Sequence, residues 1–294
     1  MKNILSIDGG GAKGLIAITM LNETGLQASD FDIIAGTSVG GILACAIDIM
    51  PVEEVFTIMK KQIPEIFKNN FWWKTKSLNG TIRAKYDNKN LKNFLEDTFK
   101  NSYISTRGKE RDILITSYNI TKNKPKIWKS SQDNVRVADI CMTTSAAPTY
   151  FKPYKLFGNE YVDGGVFFNN PILIAIAEAK KLYPDEQLNI VSIGCGIDKH
   201  NYNVGNGGLT NWANDIIPLF MTNNTDGLDY FIKLFYPDVN YLRLQPEIDG
   251  DIKIDSTDKI DEMIKIGNLE VTRKRNELNE IATKIKNKKI TWQI

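Results

Sequence analysis

Phe31-Asp32-Ile33-Ile34-Ala35-Gly36-Thr37-Ser38-Val39-Gly40-Gly41 runs on into Ile42-Leu43-Ala44-Cys45-Ala46-Ile47, and the reading of this stretch decides the fold. A short apolar run meets Gly-x-Ser-x-Gly and continues in good helix formers, the strand, sharp turn and helix context of a nucleophile elbow. Gly36 and Gly40 carry no side chain, so the chain can turn tightly and a second backbone can come close. Ser38 stands at the tip, near the positive end of the following helix, where developing negative charge is stabilised.

Outward from the elbow, the N-terminus repeats the pattern. Asn3-Ile4-Leu5-Ser6-Ile7 reads as a buried strand, Asp8-Gly9-Gly10-Gly11-Ala12-Lys13-Gly14 as a glycine loop, and Leu15–Leu21 as a helix. Consecutive glycines let several N–H groups point at one anion. Three ligands suit such a nest: a dinucleotide pyrophosphate, a nucleotide triphosphate, or the oxyanion of an acyl transfer. A dinucleotide site wants an acidic residue at the end of the next strand, whereas Asp32 opens it; a P-loop wants Gly-Lys-Ser/Thr, whereas Lys13 precedes Gly14. Two parallel strands that both end in glycine turns bring the nest and Ser38 to one sheet edge, which favours the oxyanion.

A serine nucleophile needs a base. The chain has one histidine, His200, in the polar stretch Ile197–Asn203, and the order Ser38, Asp163, His200 matches that of α/β-hydrolases. Asp163 itself follows a short strand and precedes Gly164-Gly165, which fixes its carboxylate in a tight turn.

Taken together, these segments resemble the patatin-like phospholipases, relatives of the catalytic domain of cytosolic phospholipase A2. Asp8–Gly14 is similar to the family's D-G-G-G-x-R/K-G loop, Gly36–Gly41 to its G-T-S-x-G-G elbow, Thr144-Ser145-Ala146-Ala147-Pro148-Thr149-Tyr150-Phe151 to its S-A-A-P-x-Y-F segment, and Asp163-Gly164-Gly165 to its closing D-G-G/A motif. The resemblance implies a Ser-Asp dyad, with Ser38 as nucleophile, Asp163 as direct base, and N–H groups of Gly10 and Gly11, with Gly9, as the oxyanion hole. It implies no cofactor and no metal. Lys13 stands where the family often has arginine; it either orients the loop or meets a headgroup phosphate, or it is an ordinary solvated lysine. The implied activity is acyl-ester hydrolysis on glycerophospholipids or related lipids. Three alternatives stay open: a Ser-His-Asp esterase using His200, a nucleotide-binding protein using Gly9–Gly14, and a defence or toxin effector with the same hydrolase chemistry that a partner or small ligand switches on.

Strand-like runs at Ile4–Ile7, Asp32–Ala35, Asp112–Tyr118, Lys126–Lys129, Tyr161–Val162, Leu188–Ile193 and Tyr241–Leu244 alternate with helical patterns. The latter fall at Leu15–Leu21, Gly41–Met50, Val52–Lys60, Asn90–Phe99, Arg136–Thr143, Pro171–Leu182 and Lys259–Lys286. The alternation predicts an α/β fold, one domain over residues 1–294 with a mainly parallel central sheet between two helical layers. A formal net charge of +2 gives no reason to expect nucleic acid. No apolar run approaches the roughly 20 residues of a transmembrane helix, and Met1-Lys2-Asn3 leads straight into a strand, so no signal peptide is expected. Cys45, Cys141 and Cys195 read as buried thiols of a reducing compartment. The expected setting is cytoplasmic and peripheral at a phospholipid surface, with homo-oligomer or small-ligand activator left open. Phe71-Trp72-Trp73 among Lys68, Lys74 and Lys76 reads as a membrane-interface anchor or as core. The basic amphipathic C-terminal helix reads as an ordinary packed surface helix, with a helix lying on an anionic membrane as the alternative.

Overall fold

The structure, a computed structural model, describes residues 1–68, 83–106, 110–198, 219, 225–248 and 252–287. Its centre is an eight-stranded sheet. β1 (Lys2–Ile7), β2 (Ile33–Thr37), β3 (Asp112–Asn119), β7 (Leu188–Ile193) and β9 (Asn240–Leu244) run parallel in the order β3-β2-β1-β7-β9. Three antiparallel strands complete it, β4 (Lys124–Lys129) and β6 (Asn159–Asp163) paired with β3, and β5 (Tyr154–Leu156) paired with β6. A separate two-stranded pair joins β8 (Ile197–Asp198) to β10 (Glu247–Ile248).

The β-strand alternation sorts the core into two layers. Leu5, Ile7, Ile34, Ile113, Ile115, Val191 and Ile193 face one cluster. There they pack against α1 (Gly14–Thr24), α2 (Val39–Ile47), α3 (Val52–Ile66), α4 (Asn88–Phe99) and α5 (Val137–Thr144). Ile4, Ile33, Ala35, Leu114 and Ile190 face the other, against α6 (Ile172–Leu182) and Ile232 of α7 (Thr225–Phe235). Helices therefore cover both faces, as the alternating pattern predicts. The expected single helix Lys259–Lys286 is two, α8 (Ile260–Arg273) and α9 (Arg275–Asn287), parted at Lys274. Their apolar stripe (Met263, Val271, Leu278, Ile281, Ile285) is buried in the first cluster. No element is expected over 225–235, where α7 stands.

β1 sits where the strand order reverses, with β2 on one side and β7 on the other, and open α/β sheets bind ligands at the carboxyl ends of strands at such a switch point. β3 then acts as a ruler. Thr37, the last residue of parallel β2, pairs with Thr116, and Asp163, the last residue of antiparallel β6, pairs with the next residue, Ser117. β4 occupies the other edge of β3 over Leu114–Asn119, so β2 and β6 share one edge and meet end to end. Their C-termini converge, and the residue that follows Thr37 is Ser38.

Candidate active site

Ser38 is held in a backbone conformation that non-glycine residues rarely adopt, with φ 55° and ψ −126°, a strained setting of the kind that clusters at active sites. Its N–H donates to Thr144 Oγ1 at 2.8 Å, and its carbonyl accepts from Gly41 N–H at 2.9 Å and Ile42 N–H at 3.1 Å. The turn closes against β1. A Cβ on Gly40 would lie 2.2 Å from the Ile7 carbonyl oxygen, and one on Gly36 would lie 2.3 Å from that of Gly40. Only glycine fits either position.

Asp163 is fully buried. Its N–H donates to the Ala146 carbonyl at 3.0 Å, and its Oδ1 accepts from Gly165 N–H at 2.7 Å. Removal from water pushes its pKa up to about 7, while the Ser38 hydroxyl and the Gly165 N–H pull in the opposite direction. Oδ2, however, completes no hydrogen bond of normal geometry among the described residues. The Ser38 hydroxyl and the Asp163 carboxyl are therefore neighbours without a well-aligned hydrogen bond in this structure; in unliganded sites such bonds commonly tighten only with substrate.

The glycine loop leaves β1 beside Ser38. A Cβ on Gly9 would stand 3.1 Å from Ser38 Cβ. Gly9 is clamped on both sides: its N–H donates to the Asn169 carbonyl at 3.1 Å, and its carbonyl accepts from Asn169 Nδ2 at 3.2 Å. Its N–H is thus already spent, which corrects the expectation that Gly9 joins the oxyanion hole. The N–H groups of Gly10 and Gly11 have no such partner among the described residues. Gly11 takes φ +59°, and a Cβ there would strike the Ile254 carbonyl at 2.2 Å. That carbonyl accepts Ala12 N–H at 2.7 Å and fixes the loop from outside.

Asp8 anchors the loop from inside. Its buried carboxylate takes a bidentate pair from Arg243 of β9, Nη1 to Oδ1 at 3.1 Å and Nη2 to Oδ2 at 2.5 Å. Arg243 Nη1 also donates to Ser192 Oγ at 2.7 Å. Burial raises the Asp8 pKa, and Arg243 opposes it. Cys195 packs under Gly10; burial and the nearby Asp8 push its thiol up to about 12, so it stays protonated. Lys13 is only 3% exposed, so it is not a solvated lysine, and its charge acts on Cys195.

Ser38 and Gly11 open onto a narrow cavity walled by Val39, Ile42, Met59 and Ile63, with Phe67, Leu91, Phe151 and Ile254 beyond. It holds about 50 Å³, room for one or two waters. A larger hollow of about 740 Å³ between α3 and α4 touches none of Ser38, Asp163 or the glycine loop. His200 and Phe71-Trp72-Trp73 lie outside the described residues. Asn169, Ile254 and Arg243, which brace the site, are not singled out by the sequence reading, and Thr144 enters it only as the first residue of the Thr144–Phe151 segment.

A model of the family described as Patatin-like phospholipase matches residues 5–176, more than half of the chain, from β1 through the glycine loop, the elbow and Asp163 into α6. The chain belongs to the patatin-like phospholipase family. Among its relatives, Patatin-like protein 4 of Arabidopsis thaliana is 26% identical, over 83% of this chain and 76% of its own length. A protein named Probable inactive patatin-3-Kuras 1, of Solanum tuberosum, is 29% identical over 83% of this chain and 78% of its own. Among solved structures, VipD from Legionella pneumophila superposes with a TM-score of 0.47 at 13% identity, covering 95% of this chain and 67% of that one. Membership in this patatin-like family supports a lipid acyl hydrolase in the broad sense.

Proposed function

We propose that this patatin-like chain hydrolyses carboxylic esters of glycerophospholipids or related lipids through an acyl-Ser38 intermediate, with Asp163 as the direct general base. The observation that supports this most is the meeting of the β2 and β6 C-termini on β3, which sets Ser38 against a buried carboxylate whose pKa of about 7 suits a base at neutral pH. Ser38 Oγ attacks the ester carbonyl as its proton passes to Asp163. The resulting oxyanion is received by the N–H groups of Gly10 and Gly11 and by the N-terminus of α2. The tetrahedral species expels the alcohol, which takes the proton from Asp163. Water then repeats the sequence, giving its proton to Asp163, which passes it to Ser38 Oγ as the fatty acid is released.

The nucleotide alternative has less support, because Gly9 N–H is taken by Asn169 and Ile254 lies against Gly11, which leaves a smaller nest than phosphates use. No described helix is long and apolar enough to cross a membrane. In this reading the substrate is drawn from a phospholipid surface to which the protein binds peripherally, with Phe71-Trp72-Trp73 as the candidate anchor against the alternative that these aromatics are core. Lipid mass spectrometry of phospholipid vesicles incubated with wild-type and Ser38→Ala protein tests the proposal. Free fatty acid and lysophospholipid should appear with the wild type alone. His200→Ala should keep most of that activity, whereas a His200→Ala protein as inactive as Ser38→Ala would favour the triad.

A further inference from the structure

Thr144-Ser145-Ala146 joins the two candidate catalytic residues. Thr144 Oγ1 accepts the Ser38 N–H at 2.8 Å, and the Ala146 carbonyl accepts the Asp163 N–H at 3.0 Å. Between these two ties lies Ser145, 7% exposed, its Oγ buried and without a hydrogen-bond partner among the described residues. It lines the same narrow cavity as Ser38 and Gly11.

The neighbouring hydroxyls are all engaged. Thr143 Oγ1 donates to the Ile140 carbonyl at 2.7 Å, Ser117 Oγ meets Thr143 Oγ1 at 2.8 Å, and Thr37 Oγ1 meets Thr116 Oγ1 at 2.7 Å. A serine at the end of a helix has an easy outlet in a carbonyl one turn back. Ser145 does not use it. A buried hydroxyl left unpaired is costly, and each such group calls for an explanation. A second orphan, Asp163 Oδ2, belongs to the residue whose main chain is tied to Ala146, and a third, Asn169 Oδ1, lies on the Gly9 side of the site. Ser145 lines the cavity onto which Ser38 opens, and the Asp163 carboxyl feels the Ser38 hydroxyl, so the unpaired Ser145 Oγ and Asp163 Oδ2 both belong to residues at the Ser38 site.

We infer that Ser145 Oγ is a substrate-contacting hydroxyl that holds, together with Asp163 Oδ2, the oxygen exchanged at Ser38. In acylation this is the alkoxy oxygen of the ester, whose bond to the acyl carbon breaks as the proton from Asp163 reaches it. In deacylation it is the water oxygen, which bonds to the acyl carbon as its proton passes to Asp163; the tetrahedral species then breaks its bond to Ser38 Oγ, which takes that proton from Asp163. Both oxygens occupy one place, because the second half-reaction reverses the first with water in place of the alcohol. The two roles need opposite hydrogen bonds, donation to the alkoxy oxygen and acceptance from the second water proton. A hydroxyl serves both by rotating, and an ammonium could not. Ser145 keeps its own proton throughout. The inference rests on the acyl-Ser38 reading above.

Three measurements on Ser145→Ala test it: kcat and KM on a soluble alkyl ester, the rate at which a fluorophosphonate labels Ser38, and thermal stability. Loss of the contact should lower kcat by about 10- to 100-fold with KM within about twofold. Labelling should stay within about threefold, because its leaving group is fluoride and no alkoxy oxygen is exchanged. The melting temperature should hold or rise, since an unpaired buried hydroxyl has been removed. Ser145→Thr, which keeps the hydroxyl, should recover much of kcat. Unchanged turnover in Ser145→Ala would overturn the inference. So would turnover and labelling falling together with a lower melting temperature, the signature of a structural serine. A wild-type protein without Ser38-dependent ester hydrolysis would instead refute the hydrolase reading on which the inference stands.

Discussion

Replacing Asp163 by asparagine should make the protein more stable at pH 8 while abolishing turnover, because the structure holds this carboxyl where its charge is unwelcome. Burial moves its pKa from 3.8 to about 7. At 1.36 kcal/mol for each pKa unit, ionising it in the folded state costs about 4 kcal/mol more than in the unfolded chain. Between these two pH values the folded protein keeps the proton and the unfolded chain has released it, so folding takes up a proton and wild-type stability falls as pH rises. The loss is complete above about pH 7. Asparagine retains an oxygen for Gly165 N–H but carries no charge. At about 2 °C for each kcal/mol in a chain of this size, Asp163→Asn should gain up to roughly 8 °C at pH 8. By pH 5 the gap should shrink to about 2 kcal/mol. Scanning calorimetry at both pH values reads the difference directly. A variant less stable than wild type at pH 8, by an amount independent of pH, would refute the reasoning.

Turnover of a soluble ester should rise with pH through about 7, because the base works only when ionised; a flat profile from pH 6 to 8 would exclude Asp163 as that base. Gly10→Ala places a Cβ 2.4 Å from Cys195 Cβ and 2.8 Å from its sulfur. It should cost about 1–3 kcal/mol by overpacking, and Cys195→Gly in the same chain should return much of that loss, as coupling between neighbours allows. Additive losses in denaturant titrations would show the two residues are not in conflict. Arg243→Leu leaves the Asp8 carboxylate buried without its partner and should destabilise by about 3–5 kcal/mol. A change under 1 kcal/mol by the same titration would mean the pair does not anchor the loop.

What the sequence made legible was local. The elbow could be read because Gly36, Ser38 and Gly40 sit between an apolar run and a helix-forming run, and the resulting turn closes on β1 where no Cβ fits. The alternation of strands and helices placed most of the sheet. Long-range partners were not legible. Arg243 looks like any basic residue in a β-strand, and only the pairing of β9 with β7 sets it under Asp8. Asn169 lies in an unremarkable Asn-Asn-Pro turn, and its hold on Gly9 joins residues 160 positions apart. Asp163 stood out through its motif, but its place beside Ser38 depends on β6 continuing the line of β2 along β3, which no local pattern encodes. The break at Lys274 is not legible because apolar spacing runs on through both helices and Arg273-Lys274-Arg275 holds no proline or glycine to mark it.

The central claim is that Ser38 carries the acyl group. Intact-mass and peptide-mapping spectrometry after fluorophosphonate treatment tests it most directly. One adduct per chain, mapped to Ser38 and lost in Ser38→Ala protein that still melts cooperatively, is the result the account predicts. An adduct on a different residue, or none on a folded wild-type chain, would contradict it.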